Sequence, residues 1–165
     1  MSNVFFISDL HLGHRSILKF QGHTRPATNL KEHSQWIVQQ WNSVVNSKDI
    51  VWVLGDVIFN KAHAKYFKEM RGQKHMLWGN HDLFSHNWYR QYFNLVRGFH
   101  KKYGMFLSHA PIHPSGLRDR INVHGHNHAG HIMKYWGLVR DERYYNVCVD
   151  HVKGIPVPLE IIRGE

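Results

Sequence analysis

The chain has little of several features that would direct it to other classes of protein. Among its 165 residues Cys148 is the single cysteine, so no internal disulfide is expected and a reducing compartment, the cytoplasm, is predicted. No apolar run approaches the roughly 18–20 residues that cross a bilayer. No basic segment followed by an apolar one marks a secretion signal. Since no Pro/Gly/Ser linker divides the sequence, we expect one domain over residues 1–165, without membrane association.

Acidic residues are also scarce. The 12 Asp and Glu face 21 Lys and Arg, which leaves a formal net charge of +9. Such a surface favours anionic partners such as nucleotides or nucleic acid, although the same charge also serves simply to solvate a small protein. The longest run of adjacent Lys or Arg residues is the pair Lys101-Lys102, so the charge is not concentrated in one binding stretch. Oligomeric state cannot be inferred from these features.

Apolar periodicity predicts alternating strands and helices. Short aromatic or β-branched runs predict strands at 4–7, 50–54 and 75–78, and helical spacing predicts helices at 28–45, 62–70 and 88–93, the first capped by Thr28 or Asn29. The second half reads as strands at 99–102, 105–108, 121–124, 144–149 and 159–162, with a hairpin turn at Tyr103-Gly104. We therefore expect an α/β fold, a four-layer α-β-β-α sandwich of two mixed sheets packed face to face with helices outside.

Five short polar clusters each end one of the apolar runs. They are Asp9-Leu10-His11, Gly55-Asp56, Gly79-Asn80-His81-Asp82, Ser108-His109 and Gly125-His126-Asn127-His128. Side chains just past the ends of strands converge at the carboxyl edge of a sheet. Alternation places Asp9 and His11 on one side of an extended segment, and His126 and His128 likewise. Their nitrogen and oxygen donors, without thiolate, suit Mn, Fe, Zn, Ni or Co better than a structural tetrathiolate zinc site.

In this order the clusters resemble the signature of the calcineurin-like metallophosphoesterase superfamily, which reads D-x-H, G-D, G-N-H-D/E, a lone His and G-H-x-H. The opening S-D-L-H-L-G-H and the late Y-N-V-C-V-D are similar to the small bacterial and phage phosphoesterases of that superfamily. The resemblance implies two divalent ions, with Mn²⁺ expected. It implies that one ion is held by Asp9, His11 and His128, the other by Asn80, His109 and His126, and that Asp56 bridges both.

The resemblance also implies an activity. A hydroxide between the metals would attack phosphorus in line, and phosphodiesters are the favoured substrates. His81, next to a ligand but not itself one, would stabilise the transition state or protonate the leaving oxygen, and Asp82 would orient its imidazole. The motif glycines are expected to let the chain turn tightly behind each ligand. After Asp56 the apolar stretch Val57–Asn60 replaces the charged residues of many relatives, which predicts no substrate contact there.

Residues that contact the substrate are less well defined by the sequence. A substrate-facing role and a loop-packing role are equally compatible with His14, while Arg118 and Arg120 could grip phosphate in a bidentate way but fit a solvated loop better. The short intervals between motifs leave no room for a lid and predict an open, shallow site. The basic residues expected to attract anionic substrates to it are Arg15, Arg25, Arg90, Arg118 and Arg120.

Three alternatives to a phosphodiesterase stay open at this level. A phosphomonoesterase would use the same metals. A non-catalytic scaffold on the same fold would be signalled by broken ligands or loss of His81, and the sequence shows neither. A nucleic-acid-binding module has only the positive net charge in its favour.

Overall fold

A computed structural model of the protein describes residues 2–165. In this part of the chain none of the helices is long and apolar enough to cross a membrane. The strands are β1 Val4–Ile7, β2 Ile50–Leu54, β3 Gln73–Leu77, β4 Leu95–Arg97, β5 His100–Lys102, β6 Met105–Leu107, β7 Asn122–His124, β8 Met133–Lys134, β9 Val139–Arg140, β10 Tyr144–Asn146 and β11 Val157–Pro158. The α-helices are α1 Ile17–Gln21, α2 Leu30–Val44, α3 Tyr66–Glu69, α4 His86–Tyr89, α5 Val149–Val152 and α6 Leu159–Arg163, and short 3₁₀ helices span Lys61–His63 and Pro114–Gly116.

The strands form two mixed sheets and a separate hairpin. The first sheet has the order β11-β1-β2-β3-β4, in which only the β11–β1 pair is antiparallel. The second has the order β10-β7-β6-β5, in which only the β5–β6 pair is antiparallel. Strands β8 and β9 pair with each other. The predicted α/β class with two mixed sheets is therefore confirmed.

Two apolar cores lie on the two faces of the first sheet. Because side chains alternate along a strand, Val53 of β2 faces one core and its neighbour Trp52 faces the other. The first core includes Trp41 of α2, so helices cover that face of the sheet. The second core includes Leu107 and Val123 of the second sheet, so the two sheets pack face to face as predicted.

The outer face of the second sheet contacts the loop between β6 and β7. The Tyr144 hydroxyl donates a hydrogen bond to the carbonyl oxygen of Ile112 (2.6 Å), and the Ile112 N–H donates to Asn122 Oδ1 (2.9 Å). Within residues 2–165 this loop contains a 3₁₀ helix but no α-helix. A helical layer on this face, and with it the complete four-layer sandwich, stays a prediction.

The predicted helices form with shifted ends. Asn29 caps α2, because its side chain accepts a hydrogen bond from the Glu32 N–H (3.0 Å). The helix expected at 62–70 divides into the 3₁₀ turn Lys61–His63 and the short α3, and the one expected at 88–93 begins earlier, after the capping residue Ser85. The Tyr103-Gly104 turn joins β5 and β6 with positive φ at both residues (55° and 78°), as a type I′ hairpin requires.

In the last quarter one strand prediction was wrong and another was three residues too long. Residues 159–162 form helix α6, with Pro158 as N-cap, and the strand expected at 144–149 ends at Asn146, after which Val149 begins α5. Both are short runs rich in β-branched residues, and the apolar pattern of so few residues does not distinguish a strand from one helical turn. For the same reason the sequence does not predict four other strands, which have only two or three residues each: β4, β8, β9 and β11.

Leu107→Ala should destabilise the protein because Leu107 is fully buried between the two sheets. We expect the free energy of unfolding to fall by about 2–5 kcal/mol, the usual effect of truncating a buried leucine. The matched control is Leu138→Ala at an 80% exposed position, for which a change within about 0.5 kcal/mol is expected. Urea denaturation of both variants measures the difference, and equal stabilities would contradict the assignment of Leu107 to the core.

Candidate metal centre

All seven predicted ligands lie just beyond the carboxyl ends of strands. Because β1, β2 and β3 are parallel neighbours, as are β6 and β7, the segments that follow them emerge on the same edges of the sheets. Asp9 and His11 follow β1, Asp56 follows β2, Asn80 follows β3, His109 follows β6, and His126 and His128 follow β7.

Asp9, His11 and His128, which we call the first ligand group, present atoms that all lie within 4.8 Å of one another. Asp9 Oδ1 is 3.4 Å from His128 Nε2 and 3.6 Å from His11 Nε2. Asp9 Oδ1 and His11 Nε2 are buried and have no hydrogen-bond partner among residues 2–165. Because an unpartnered buried polar atom is costly, and these atoms are good donors to a cation, the group fits a divalent metal ion.

Asn80, His109 and His126 form the second ligand group. Asn80 Oδ1 lies 2.9 Å from His109 Nε2 and 3.0 Å from His126 Nδ1, and the two histidine nitrogens are 3.2 Å apart. Asp56 lies between the groups, with Oδ2 at 3.6 Å from His11 Nε2 and 3.4 Å from His109 Nε2. The arrangement fits two cations that share the Asp56 carboxylate.

Two of the histidines are oriented through the ring nitrogen that faces away from the centre. His109 Nδ1 is 2.8 Å from the Leu54 carbonyl oxygen, and His128 Nδ1 is 2.7 Å from Asp150 Oδ2. Each acceptor favours a proton on Nδ1 and leaves the lone pair of Nε2 directed at the ligand group. Contacts of this kind fix the orientation of metal-binding histidines.

The electrostatics of the centre prepare several ligands for a cation. Burial disfavours the charged form of Asp9, but His11 beside it and the nearby His109 and His128 hold the pKa of Asp9 well below its usual range. Burial lowers the pKa of His11, which keeps that imidazole neutral. His109 differs: burial opposes its protonation, but the adjacent Asp56 carboxylate outweighs burial and raises the pKa of His109 to about 9, so this imidazole has to release a proton when it binds a metal ion. An ionised aspartate and a neutral histidine are the forms that bind metal.

The backbone at the ligands is strained. Asp9, His11, Asp56 and His126 have φ values of 61°, 50°, 52° and 67°, in the left-handed region that non-glycine residues seldom occupy. Each such residue costs of order 1–3 kcal/mol, and conformations of this kind cluster at functional sites. The surrounding hydrogen bonds therefore have to hold these positions against local preference.

The expectation that every motif glycine makes a tight turn was only partly right. Gly55 has a φ of +89°, which favours glycine. Gly79 and Gly125 have backbone conformations outside the left-handed region, and glycine is required there because a side chain would not fit. A Cβ atom on Gly79 would overlap the Asp56 carboxylate, and one on Gly125 would overlap the side chains of Ser8 and Asp9.

Asp82 holds together the two loops that carry Asp56 and Asn80. Its carboxylate accepts hydrogen bonds from the N–H groups of Asp56, Val57 and Gly79 at 2.8–2.9 Å, and from the Tyr89 hydroxyl at 3.2 Å. None of the hydrogen bonds within residues 2–165 joins Asp82 to the His81 imidazole, so its predicted role as the partner of that ring has no contact to support it. The contacts support a role for Asp82 in fixing the backbone.

Sequence reasoning missed a buried network behind the first ligand group. Arg25 is fully buried and forms a bidentate ion pair with Asp150, with Nη2 at 2.7 Å from Oδ2 and Nε at 3.0 Å from Oδ1. The same guanidinium donates to the carbonyl oxygens of Asp9 (2.9 Å) and Leu10 (3.2 Å). Since Asp150 also contacts His128, this one ion pair positions two residues of the group.

The expectation that Arg25 attracts substrate from solvent was therefore wrong. Its side chain lies against His33, which is fully buried, and burial together with the Arg25 charge lowers the pKa of His33 to about 3. The neutral ring accepts a hydrogen bond from Arg25 Nη1 (3.1 Å). The one signal in the sequence was Asp150, the last residue of the Y-N-V-C-V-D stretch that resembles relatives.

One open cavity adjoins the first ligand group, and a second open cavity meets it at His14. One, of about 460 Å³, is lined by His11, His128, His81 and His14 among others. The other, of about 570 Å³, shares His14 with the first and is also lined by Phe59. His14 stacks on Phe59 with ring centroids 4.1 Å apart. The apolar stretch after Asp56 thus contributes a cavity wall and a support for His14.

Arg118 and Arg120 lie outside the two cavities. Neither lines either cavity, and the Arg120 guanidinium packs over the ring of Phe106 at 5.6 Å. Phe106 is the β6 residue between Met105 and Leu107, whose side chains belong to the core between the sheets, so its own side chain points to the opposite face. The predicted phosphate contacts of these two arginines have no support in this geometry.

Comparisons with known proteins agree with the geometry. A family model described as calcineurin-like phosphoesterase matches residues 2–164, which confirms the resemblance seen in the motifs. An uncharacterized protein of Methanocaldococcus jannaschii is 33% identical over 167 residues, covering 98% of this chain and 90% of the relative. The gene 66 proteins of Mycobacterium phages L5 and D29 are 33% and 27% identical over 87 and 146 residues, which are 50% and 86% of this chain and 41% and 67% of theirs.

A solved structure shares the fold. The crystal structure of a protein of unknown function from Aquifex aeolicus superposes with a TM-score of 0.72 and covers 99% of both chains. At 20% sequence identity, this likeness shows the architecture alone.

Asp150→Asn should weaken metal binding because it removes the charge that orients His128 and neutralises Arg25. We expect the affinity for Mn²⁺ to fall by about 10–100-fold, the usual effect of losing such a supporting carboxylate. The matched control is Asp119→Asn at an exposed loop position, which should bind metal as the parent does. Calorimetric titration of folded protein measures both, and unchanged affinity in Asp150→Asn would contradict the positioning role.

Proposed function

The chain belongs to the calcineurin-like phosphoesterase family, and we propose that it hydrolyses phosphodiester bonds. Membership makes the protein a metal-dependent phosphoesterase, and the choice of diesters over monoesters is the proposed part. The observation that supports this choice is that a cavity lined by His11 and His128 meets a second cavity at His14. A phosphodiester carries a substituent on each side of the phosphate and so has use for both spaces, whereas a monoester would leave one of them unfilled.

In this proposal the first ligand group holds one divalent ion, the second ligand group holds another, and Asp56 contacts both. When bound there, two divalent ions would supply a hydroxide nucleophile for in-line attack and would neutralise the charge that develops on the phosphate oxygens. The nitrogen and oxygen donors support Mn²⁺ as the metal, and Fe, Zn, Ni or Co are the alternatives that the same donors accept.

His81 is the residue proposed to transfer a proton to the leaving oxygen. Its side chain is exposed and lines the cavity beside His11 and His128, while its backbone N–H donates a hydrogen bond to Asp56 Oδ1 (2.9 Å). An imidazole that lies close to the ligands and forms no side-chain hydrogen bond within residues 2–165 is suited to general acid catalysis. Asp82 supports this role indirectly, because it holds the turn that carries His81 against the Asp56 loop.

His14 is proposed to contact the substrate where the two cavities meet. Its ring is partly exposed and is held in place by stacking on Phe59. Burial, reinforced by the nearby His11, lowers the pKa of His14, so the ring is neutral at pH 7. A neutral imidazole can donate a hydrogen bond to a phosphate oxygen without adding a fixed charge to the site.

We further propose that residues 1–165 act as one domain in the cytoplasm. The buried, unpaired Cys148 supports a reducing environment, because the described chain uses no disulfide for its stability. The net charge of +9 supports an anionic phosphate ester, such as a nucleotide or nucleic acid, as the substrate.

The alternatives predict different responses to metal and substrate. A phosphomonoesterase would turn over p-nitrophenyl phosphate faster than bis(p-nitrophenyl) phosphate in the presence of Mn²⁺. A scaffold would turn over neither. A simple nucleic-acid-binding module would keep its binding after addition of EDTA, whereas metal-dependent hydrolysis would stop. The comparison of the two nitrophenyl substrates, each with and without EDTA, therefore tests the proposed function.

Asp56→Asn should abolish turnover of bis(p-nitrophenyl) phosphate more completely than replacement of any other ligand. The reason is that Asp56 lies between the two ligand groups, so its charge serves both metal positions. Steady-state rates with saturating Mn²⁺ provide the measurement, with Asp119→Asn as the matched control. Turnover near that of the parent protein in Asp56→Asn would remove the two-metal mechanism.

His81→Ala should leave metal binding intact and slow the reaction. We expect both ions to be retained in elemental analysis and turnover to fall by roughly 10²–10⁴-fold, the range of general acid–base catalysis. His86→Ala, at an exposed position in the same segment, is the control and should keep the activity of the parent. Loss of a metal ion in His81→Ala would show that His81 is a ligand.

A further inference from the structure

The segments that follow Asp9 and Asp56 stay paired beyond the end of the first sheet. The His11 N–H donates to the Asp56 carbonyl oxygen (3.0 Å), and the Leu12 N–H donates to that of Val57 (3.1 Å). The Phe59 N–H then donates to the Leu12 carbonyl oxygen (2.8 Å). This short parallel ladder extends past the ligands, so the residues that come next on both segments are placed together beside the metal centre.

Those next residues line the larger of the two cavities. Its walls include His14 and Arg15 from the first segment, Phe59, Asn60 and Lys61 from the second, and Phe84. The ring of Phe59 lies 5.1 Å from that of His11 and 5.4 Å from that of His81. The cavity, which we call the flanking subsite, is thus one ring away from a proposed ligand and from the proposed proton donor.

The flanking subsite carries positive charge that nothing in the described chain neutralises. Arg15 and Lys61 are exposed, neither forms an ion pair within residues 2–165, and no acidic side chain lines the cavity. The Lys61 ammonium lies over the rings of Phe84 (4.9 Å) and Trp88 (5.6 Å). Such contacts hold a cation in place without cancelling its charge, which leaves it free to bind an anion.

We propose that the flanking subsite binds a second phosphate of the substrate, adjacent to the phosphodiester that is cleaved. This inference rests on the proposed function and names the substrate class, a linear oligonucleotide. In an oligonucleotide the scissile phosphate is separated by one nucleotide from the next phosphate, so one can lie at the ligand groups while the other meets Arg15 and Lys61. A cyclic mononucleotide has a single phosphate and cannot occupy both places.

A thymidine dinucleotide with and without a terminal phosphate tests the proposal. Both the 5′- and the 3′-phosphorylated forms are compared with the unphosphorylated one, and bis(p-nitrophenyl) phosphate, which has no second anion, reports on hydrolysis by itself. For the parent protein with Mn²⁺ we expect kcat/KM to be about tenfold higher for one phosphorylated form, chiefly through a lower KM. The preference should shrink as salt is added, because exposed charges are screened.

Variants then locate the source of this preference. Arg15→Ala and Lys61→Ala should each reduce the ratio of kcat/KM values by roughly threefold, because the two exposed charges share the tenfold preference. Lys61→Arg should retain the ratio. The controls Arg140→Ala and Lys48→Ala, at exposed positions outside the cavity, should leave the ratio as in the parent protein.

Calorimetric titration of the same dinucleotides decides the matter whether or not turnover occurs. Failure to hydrolyse any diester would overturn the proposed function, and the binding data would still test the flanking subsite. Equal Kd and kcat/KM values for phosphorylated and unphosphorylated dinucleotides would overturn the second-phosphate site while leaving phosphodiester hydrolysis in place. A preference that persists in both Ala variants would also overturn it.

Discussion

One buried ion pair, between Arg25 and Asp150, joins the segments that form the first ligand group. The guanidinium holds the carbonyl oxygens of Asp9 and Leu10, and the carboxylate holds the ring of His128. Both side chains are removed from water, so the pair is costly to form, and removing one partner of such a pair typically costs about 3–5 kcal/mol. Because breaking the pair is so costly, it keeps these segments, which are far apart in sequence, in contact. The first ligand group depends on this contact.

The ion pair also explains how strained ligands persist. Asp9 and His11 occupy left-handed backbone conformations, which neighbouring contacts have to impose. Arg25 fixes the carbonyl oxygen of Asp9, and the Asp56 carbonyl oxygen accepts from the N–H of His11. On the other side, Asp82 fixes the N–H of Asp56. The centre is therefore preorganised by backbone contacts, and the side chains that face it are left with unpartnered atoms suited to cations.

The backbone segments that carry the ligands also carry the residues proposed to select the substrate. The ladder between the Asp9 and Asp56 segments positions ligands at its start and cavity residues at its end. A metal centre recognises phosphate but not the groups attached to it, so selectivity has to come from what lies next to the ligands. Here the neighbours are the stacked pair His14 and Phe59 and the exposed cationic side chains of Arg15 and Lys61. This combination is the basis on which we propose a polyanionic substrate.

The sequence by itself determined the class of fold and the family and predicted the set of ligands, because motif order and strand-ending clusters are local properties of the chain. It could not determine which basic residues face the substrate. The sequence pattern does not distinguish Arg25 from Arg15, yet Arg25 is fully buried in an ion pair and Arg15 is exposed at a cavity. Only tertiary contacts decide burial. For the same reason the sequence predicts Asp82 as the partner of the His81 imidazole, whereas its carboxylate accepts hydrogen bonds from backbone N–H groups. Short segments such as α6 were misassigned because their conformation is set by packing and not by local pattern.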